Sequence, residues 1–167
     1  DITGAPYARD FSLTDHTGTR RTLADYRGKV VTVFFGFTQC PDVCPTTLHD
    51  MVEVKRQLGE TGGADGDKLQ VLFITVDPER DTQEVLAKYI TGFDPNFVAL
   101  YGNTEETKNF IKEFKIVVQK VPGQTPTSYT VNHSTGTYVF DREGHVRLFM
   151  PHAAGVDSIV ADLKRLL

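Results

Sequence analysis

The longest apolar run in the chain is Val30-Val31-Thr32-Val33-Phe34-Phe35-Gly36-Phe37, β-branched and aromatic, with only Thr32 and Gly36 softening it. Continuous rather than alternating apolarity predicts a strand buried on both faces, as at the centre of an α/β sheet. Leu69 to Val76 reads the same way, and Phe97-Val98-Ala99-Leu100 is a shorter strand. Between these runs the period lengthens. Leu48, Met51, Val52 and Leu58 fit a helical stripe over 46–58, with Gly59 as its stop. Thr82 is expected to cap a helix running to about Ile90, and Thr104 to cap one from Glu105 to Phe114.

The ends of the chain carry shorter elements. Asp1 to Arg9 reads as a loose lead-in, after which Phe11–Asp15 and Arg20–Leu23 flank a His16-Thr17-Gly18 turn and predict a hairpin. Gly59 to Lys68, glycine-rich and charged, reads as an exposed loop, and Lys115 to Ser128 as irregular with a turn at Pro122-Gly123. Tyr129–Val131, Thr137–Asp141 and Val146–Met150 are expected strands, the last two joined by a turn over Arg142–His145. Gly155 to Leu167 closes the chain as an amphipathic helix on Val156, Ile159, Val160 and Leu163. The order βαβα, βα, β-hairpin, α predicts an α/β fold with a mixed central sheet covered by helices on both faces, in a single domain over 1–167.

Composition adds exclusions. Hydrophobic residues at 40% and charged residues at 24% place the chain among globular domains. With 18 Lys and Arg against 22 Asp and Glu, the net charge is -4. Without a basic block, nucleic acid is not an expected partner. No stretch approaches the roughly 20 apolar residues needed to span a bilayer. The chain starts at Asp1 without Met, so an upstream segment removed by processing is expected.

The chemistry-bearing residues are Cys40 and Cys44, in Cys40-Pro41-Asp42-Val43-Cys44-Pro45. They fall where the central strand gives way to a helix, and Pro45 suits a helix start. Helix-terminal N–H groups and the dipole stabilise anions there, so both thiols should ionise more readily than a free cysteine, roughly pKa 8.5. On one helix, residues i and i+4 share a face. That spacing suits either a disulfide or two thiolates closing on one soft metal ion.

Two thiolates leave a metal short of ligands. On a continuous helix His49 turns away from Cys44, while His16 and His145 lie in turns and read as solvent-facing. His152 lies near the end of the last strand, and His133 follows a strand entry in a loop. His133 is thus either a ligand folding over the cysteines or a loop histidine bonded to backbone. A Cys2His set suits copper, because thiolates select copper(I) and imidazole suits both oxidation states. A structural zinc site would normally need a fourth ligand. Two other readings stay open: thiol–disulfide exchange through Cys40 and Cys44, against which stands the three-residue gap between them, and a structural disulfide in a binding domain.

Three segments together resemble the Sco family, also called SenC or PrrC: Phe37-Thr38-Gln39-Cys40-Pro41-Asp42-Val43-Cys44-Pro45-Thr46, Val76-Asp77-Pro78-Glu79-Arg80-Asp81-Thr82, and Tyr129-Thr130-Val131-Asn132-His133-Ser134. The resemblance covers nearly the whole chain and implies a thioredoxin-like fold. It also implies that Cys40, Cys44 and His133 bind one copper ion, as Cu(I) or Cu(II), and that the protein is a metallochaperone for the dinuclear copper A centre of cytochrome c oxidase. Subunit II of the oxidase, and a second copper chaperone, are the implied partners. A thiol–disulfide reductase acting on the cysteines of that subunit is the implied alternative. The resemblance further implies a monomeric domain held to a membrane by an N-terminal anchor outside this sequence, in the bacterial periplasm rather than the mitochondrial intermembrane space. Gln39 stands where the family often has His, and Asn132 where Asp is common. Asp77, at the end of the second buried strand, reads either as a turn residue before Pro78 or as a carboxylate near the copper. The resemblance favours the copper role. Pro78, Arg80 and Thr82 read as turn and cap residues.

Overall fold

The computed structural model describes residues 2–3, 11–38, 43–61, 68–114, 116, 118–121, 130–133, 136–150 and 155–166, with backbone alone for 43–46, 60–61, 118–121 and 130–133. The two apolar runs form β3 (Val30–Gly36) and β4 (Leu69–Thr75), buried at every position. They pair in parallel over seven rungs, from Val30 opposite Leu69 to Gly36 opposite Thr75. Together with β1 (Ser12–Asp15), β2 (Arg20–Thr22), β5 (Val98–Tyr101), β8 (Thr137–Phe140) and β9 (Val146–Met150), they make a seven-stranded sheet in the order β2-β1-β5-β4-β3-β8-β9. β5 continues the parallel set beside β4, while β8 runs antiparallel to β3 and β1 antiparallel to β5. The expected mixed sheet and N-terminal hairpin are both present.

Alternate side chains of the central strands serve opposite layers, as strand geometry requires. Val31, Val33 and Phe35 join Leu72, Ile74, Tyr138 and Phe140 under α3 (Thr104–Glu113), which contributes Phe110. Val30 and Phe34 join Val71 and Phe73 on the other side. That side is covered by α1 (Val43–Thr61), α2 (Gln83–Thr91) and α4 (Val156–Lys164) through Leu48, Leu86 and Leu163 among others. Among the described residues, no helix is long and apolar enough to cross a membrane.

Four local expectations are corrected. α1 starts at Val43 and continues through Gly59 to Thr61. Gly59 is not among the glycines with positive φ, so it makes no left-handed stop. The buried stripe of α1 is Leu48, Met51, Val54 and Leu58, with Val52 only flanking it, because the 51-54-58 spacing faces the sheet. The cap of α3 is Asn103 rather than Thr104. Its side chain accepts the Glu106 N–H at 2.8 Å while the Glu106 carboxylate accepts the Asn103 N–H at 3.0 Å, a reciprocal capping box. Lastly, the segment read as irregular contains β6 (Val118–Val121), which pairs antiparallel with β7 (Thr130–His133) in a separate two-stranded sheet. The Pro122-Gly123 turn and the 62–67 loop lie outside the described residues. The Thr82 cap of α2 is as expected, accepting the Val85 N–H.

The first hairpin turns on Asp15. Its buried carboxylate accepts the Thr17 N–H and hydroxyl at 2.8 and 2.6 Å, the Thr19 N–H at 3.0 Å and Arg21 Nε at 2.8 Å. Burial alone would push this carboxyl up, but those donors together hold it at about 2.

Two outcomes test this account. Asn103→Ala should cost about 1 kcal/mol in urea unfolding, and Thr104→Ala far less; equal losses would reject the assigned cap. Because the folded-state value of Asp15 is depressed, its contribution is present above the ordinary aspartate value of ~3.9 and is lost as pH falls toward about 2. The stability gap between the parent and Asp15→Asn should therefore close over that window. A gap unchanged across it would count against the assignment.

Candidate metal centre

The parallel strands β3, β4 and β5 end at one edge of the sheet, where the sites of such sheets gather. The Val76 N–H donates to the Gly36 carbonyl at 2.8 Å, carrying the β3–β4 pairing one step past the strands. Two connections therefore leave this edge side by side. One runs from Phe37 into α1, and the other from Val76 into α2.

Of the site residues expected from sequence, Asp77 is the one whose side chain is described. It is 5% exposed, its N–H donates to Thr75 Oγ1 at 3.0 Å, and its carboxylate accepts from Arg80 Nε at 2.5 Å. The Arg80 guanidinium lies 5.8 Å from the centre of the Phe37 ring, within cation–π range. Arg80 is thus more than a turn residue: it ties Asp77 to the chain leaving β3. Cys44 is the second residue of α1, within the first turn, and Pro45 follows where a missing N–H costs no helical bond. Cys40 lies outside the described residues, and with α1 starting at Val43 so does the expected shared helical face of Cys40 and Cys44.

His133 is not in a loop. It is the last residue of β7, opposite Val118. Four residues later Thr137 opens β8 opposite Phe34, near the end of β3. Four residues reach at most about 14 Å, so the backbone of His133 lies within that distance of Thr137. Gly136, between them, faces the Phe149 ring, which occupies the space that a Cβ would need. Any larger residue there would displace that ring.

The remaining histidines separate by their contacts. His49 is exposed, with its ring edge-on to Phe93 at 5.0 Å. His145 is exposed in its turn, as expected. His16 is not simply solvent-facing: its Nδ1 accepts the Ala99 N–H at 3.2 Å, extending the hairpin along β5. His152 lies outside the described residues. Among the described residues, no three metal-ligating side chains cluster.

Sequence reasoning missed Thr38 and Asp81. The Asp81 carboxylate accepts the Thr38 N–H and hydroxyl and the Thr75 hydroxyl, so it too bridges the two connections. Burial pushes this carboxyl up, the Thr38 and Thr75 donors pull it back, and the charge of Asp77 adds to the rise. The available signal was two threonines at the ends of adjacent buried strands, facing a second aspartate four residues after Asp77.

Comparison with known proteins agrees with this architecture. The chain is similar to copper-bound ScoI of Bradyrhizobium japonicum, at 37% identity and TM-score 0.84 over 100% of both chains. It is similar to copper-bound ScoI of Arabidopsis thaliana at 30% identity and TM-score 0.86, covering 99% of this chain and 97% of that one. The thioredoxin-like fold implied by the sequence motifs is therefore the one observed. Over 156 residues the chain is 37% identical to the mitochondrial protein SCO2 homolog of Bos taurus, a match spanning 93% of this chain and 58% of that protein. It thus spans little more than half the length of that relative. The SCO1/SenC family matches from residue 2 to residue 167, and the chain belongs to it.

Proposed function

We propose that the chain is a copper metallochaperone domain that takes one copper ion through Cys40, Cys44 and His133 and passes it toward the copper A centre of cytochrome c oxidase. The observation carrying this reading is the end-to-end likeness to a ScoI structure with copper bound, in a chain that has both cysteines and the histidine of the family motifs. The donor set fits the cargo. Two thiolates and an imidazole suit copper(I) and leave a side open for an incoming ligand. Cys44 falls in the first turn of α1, and the dipole at a helix start favours a thiolate over a thiol.

Release to a partner then proceeds by exchange of ligands, in which an acceptor thiolate or imidazole replaces those of this chain one at a time. The cysteines must be reduced for this, since a Cys40–Cys44 disulfide removes two of the three donors. Asp77, held by Arg80 beside the chain that leaves β3, is the carboxylate that the family resemblance places near the copper. The acceptor is the copper-binding subunit II of the oxidase, and an upstream copper chaperone is the donor. A bacterial periplasmic site with a membrane anchor outside this sequence belongs to this reading, although relatives of similar identity come from a bacterium and from mitochondria alike. The domain works as a monomer over 1–167.

The position of Cys44 also favours a second reading, exchange of thiols and disulfides with the cysteines of the same subunit, because an ionised thiol is the attacking species there.

To separate the two, the protein is reduced anaerobically, freed of reductant and titrated with copper(II) beside His133→Ala. Thiolate-to-copper charge-transfer bands should saturate at one copper per chain in the parent and be weak or short-lived in the variant. A featureless titration, or equal conversion of both proteins to the disulfide, would overturn the copper(II) site and favour thiol exchange.

A further inference from the structure

Asp81 is a buried carboxylate that the copper reading leaves without a role. It is 1% exposed. One oxygen accepts the Thr38 hydroxyl at 2.5 Å, and the other accepts the Thr38 N–H at 3.0 Å and the Thr75 hydroxyl at 2.6 Å. Because the Thr75 hydroxyl donates to Asp81, its lone pair is free to accept the Asp77 N–H at 3.0 Å, which links both aspartates in one network.

Nothing local to the turn requires this carboxylate. Thr82 already caps α2, and the Asp81 N–H is satisfied by the Asp77 carbonyl at 3.0 Å. Burying a carboxylate is costly unless hydrogen bonds compensate. Here they come from the ends of two neighbouring strands, two of the three from Thr38 alone. A charge-assisted pair of bonds to one residue's amide and hydroxyl fixes both its backbone and its side-chain rotamer. Thr38 stands two residues before Cys40, so the Cα of Cys40 lies within about 7 Å of the gripped residue. The preceding residue, Phe37, is held from the same connection by the Arg80 guanidinium.

We propose that Asp81 is a positioning residue for the Cys40 ligand, setting through Thr38 the direction in which the chain leaves β3 and hence where Cys40 meets Cys44 and His133. This rests on the copper reading above. The contacts described for the Asp81 carboxylate are to Thr38 and Thr75, so its effect on the ligand runs through Thr38. Its effect is on preorganisation, the usual task of groups that orient metal ligands.

Three variants test it. Asp81→Ala removes the grip, and Thr38→Val removes the hydroxyl half at nearly constant shape. Asp81→Asn keeps all three hydrogen bonds, since its amide oxygen accepts from Thr38 N–H and Thr75 while its NH2 donates to a rotated Thr38 hydroxyl. Copper(I) affinity of each reduced protein is measured by competition with a chromophoric chelator, well below a melting temperature determined for each. Asp81→Ala should bind roughly 10- to 100-fold more weakly. Thr38→Val should weaken in the same direction, and Asp81→Asn should recover most of the loss.

Parent-like affinity in folded Asp81→Ala overturns the proposal, as does an Asp81→Asn as weak as Asp81→Ala. Should Asp81→Ala not fold, parent-like affinity in Thr38→Val does the same. A parent that binds no copper(I) refutes the copper reading instead. The proposal is then read from the equilibrium of the Cys40/Cys44 pair with glutathione: a shift in Asp81→Ala that returns in Asp81→Asn supports it, and equal equilibria overturn it.

Discussion

Parallel pairing of β3 with β4, rung for rung and buried on both faces, is the constraint on which the rest of the molecule depends. Such a pair cannot face water on either side, so it requires the two helical layers that flank it. Phe35 sits among the rings of Phe110, Phe114 and Tyr138, at 5.6, 5.2 and 6.2 Å, while Phe34 on the opposite face meets Phe73 at 5.7 Å. Packing on both faces leaves little room for a register slip, which would exchange the two sets of side chains. With the register set, both strands end together and their connections emerge as neighbours.

At that edge two acidic groups are handled in different ways, and each reaches back to the neighbouring connection. Asp77 is matched by a guanidinium that lies over Phe37, and Asp81 by hydroxyl and amide donors that include both polar groups of Thr38. Successive residues of the chain leaving β3 are therefore held by successive residues of the chain leaving β4. Buried polar ties of this kind add little net stability, because desolvation offsets most of the attraction, yet they are directional. Direction is what the proposed soft-metal site on this strand-to-helix connection needs: a stiff frame behind its ligands.

Much of this was legible residue by residue. The runs at Val30 and Leu69, the hairpin around Gly18, the Thr82 cap and the last two strands follow from periodicity and turn chemistry, which act over a few positions. Asn103 was missed in favour of Thr104 because both are good caps, and only the extended backbone at 103 decides between them. β6 escaped because Val118-Gln119-Lys120-Val121 does not alternate; it is a strand by virtue of its pairing with β7. His133 is a strand residue for the same reason, and the turn pattern around His16 says nothing of its partner, the Ala99 N–H, which is far away in the chain.

By itself, then, the amino-acid sequence determined the layered α/β architecture, the place of the cysteine pair at a strand-to-helix junction, and the family, all of which rest on local pattern and short motifs. Tertiary structure alone decided which buried carboxylate grips which connection. Asp81 and Thr38 are separated by 43 positions, and no local rule links a hydroxyl at the end of one strand to an acid beyond the end of the next. Their meeting depends on the β3–β4 register, a long-range pairing that places the two strand ends at one level of the sheet.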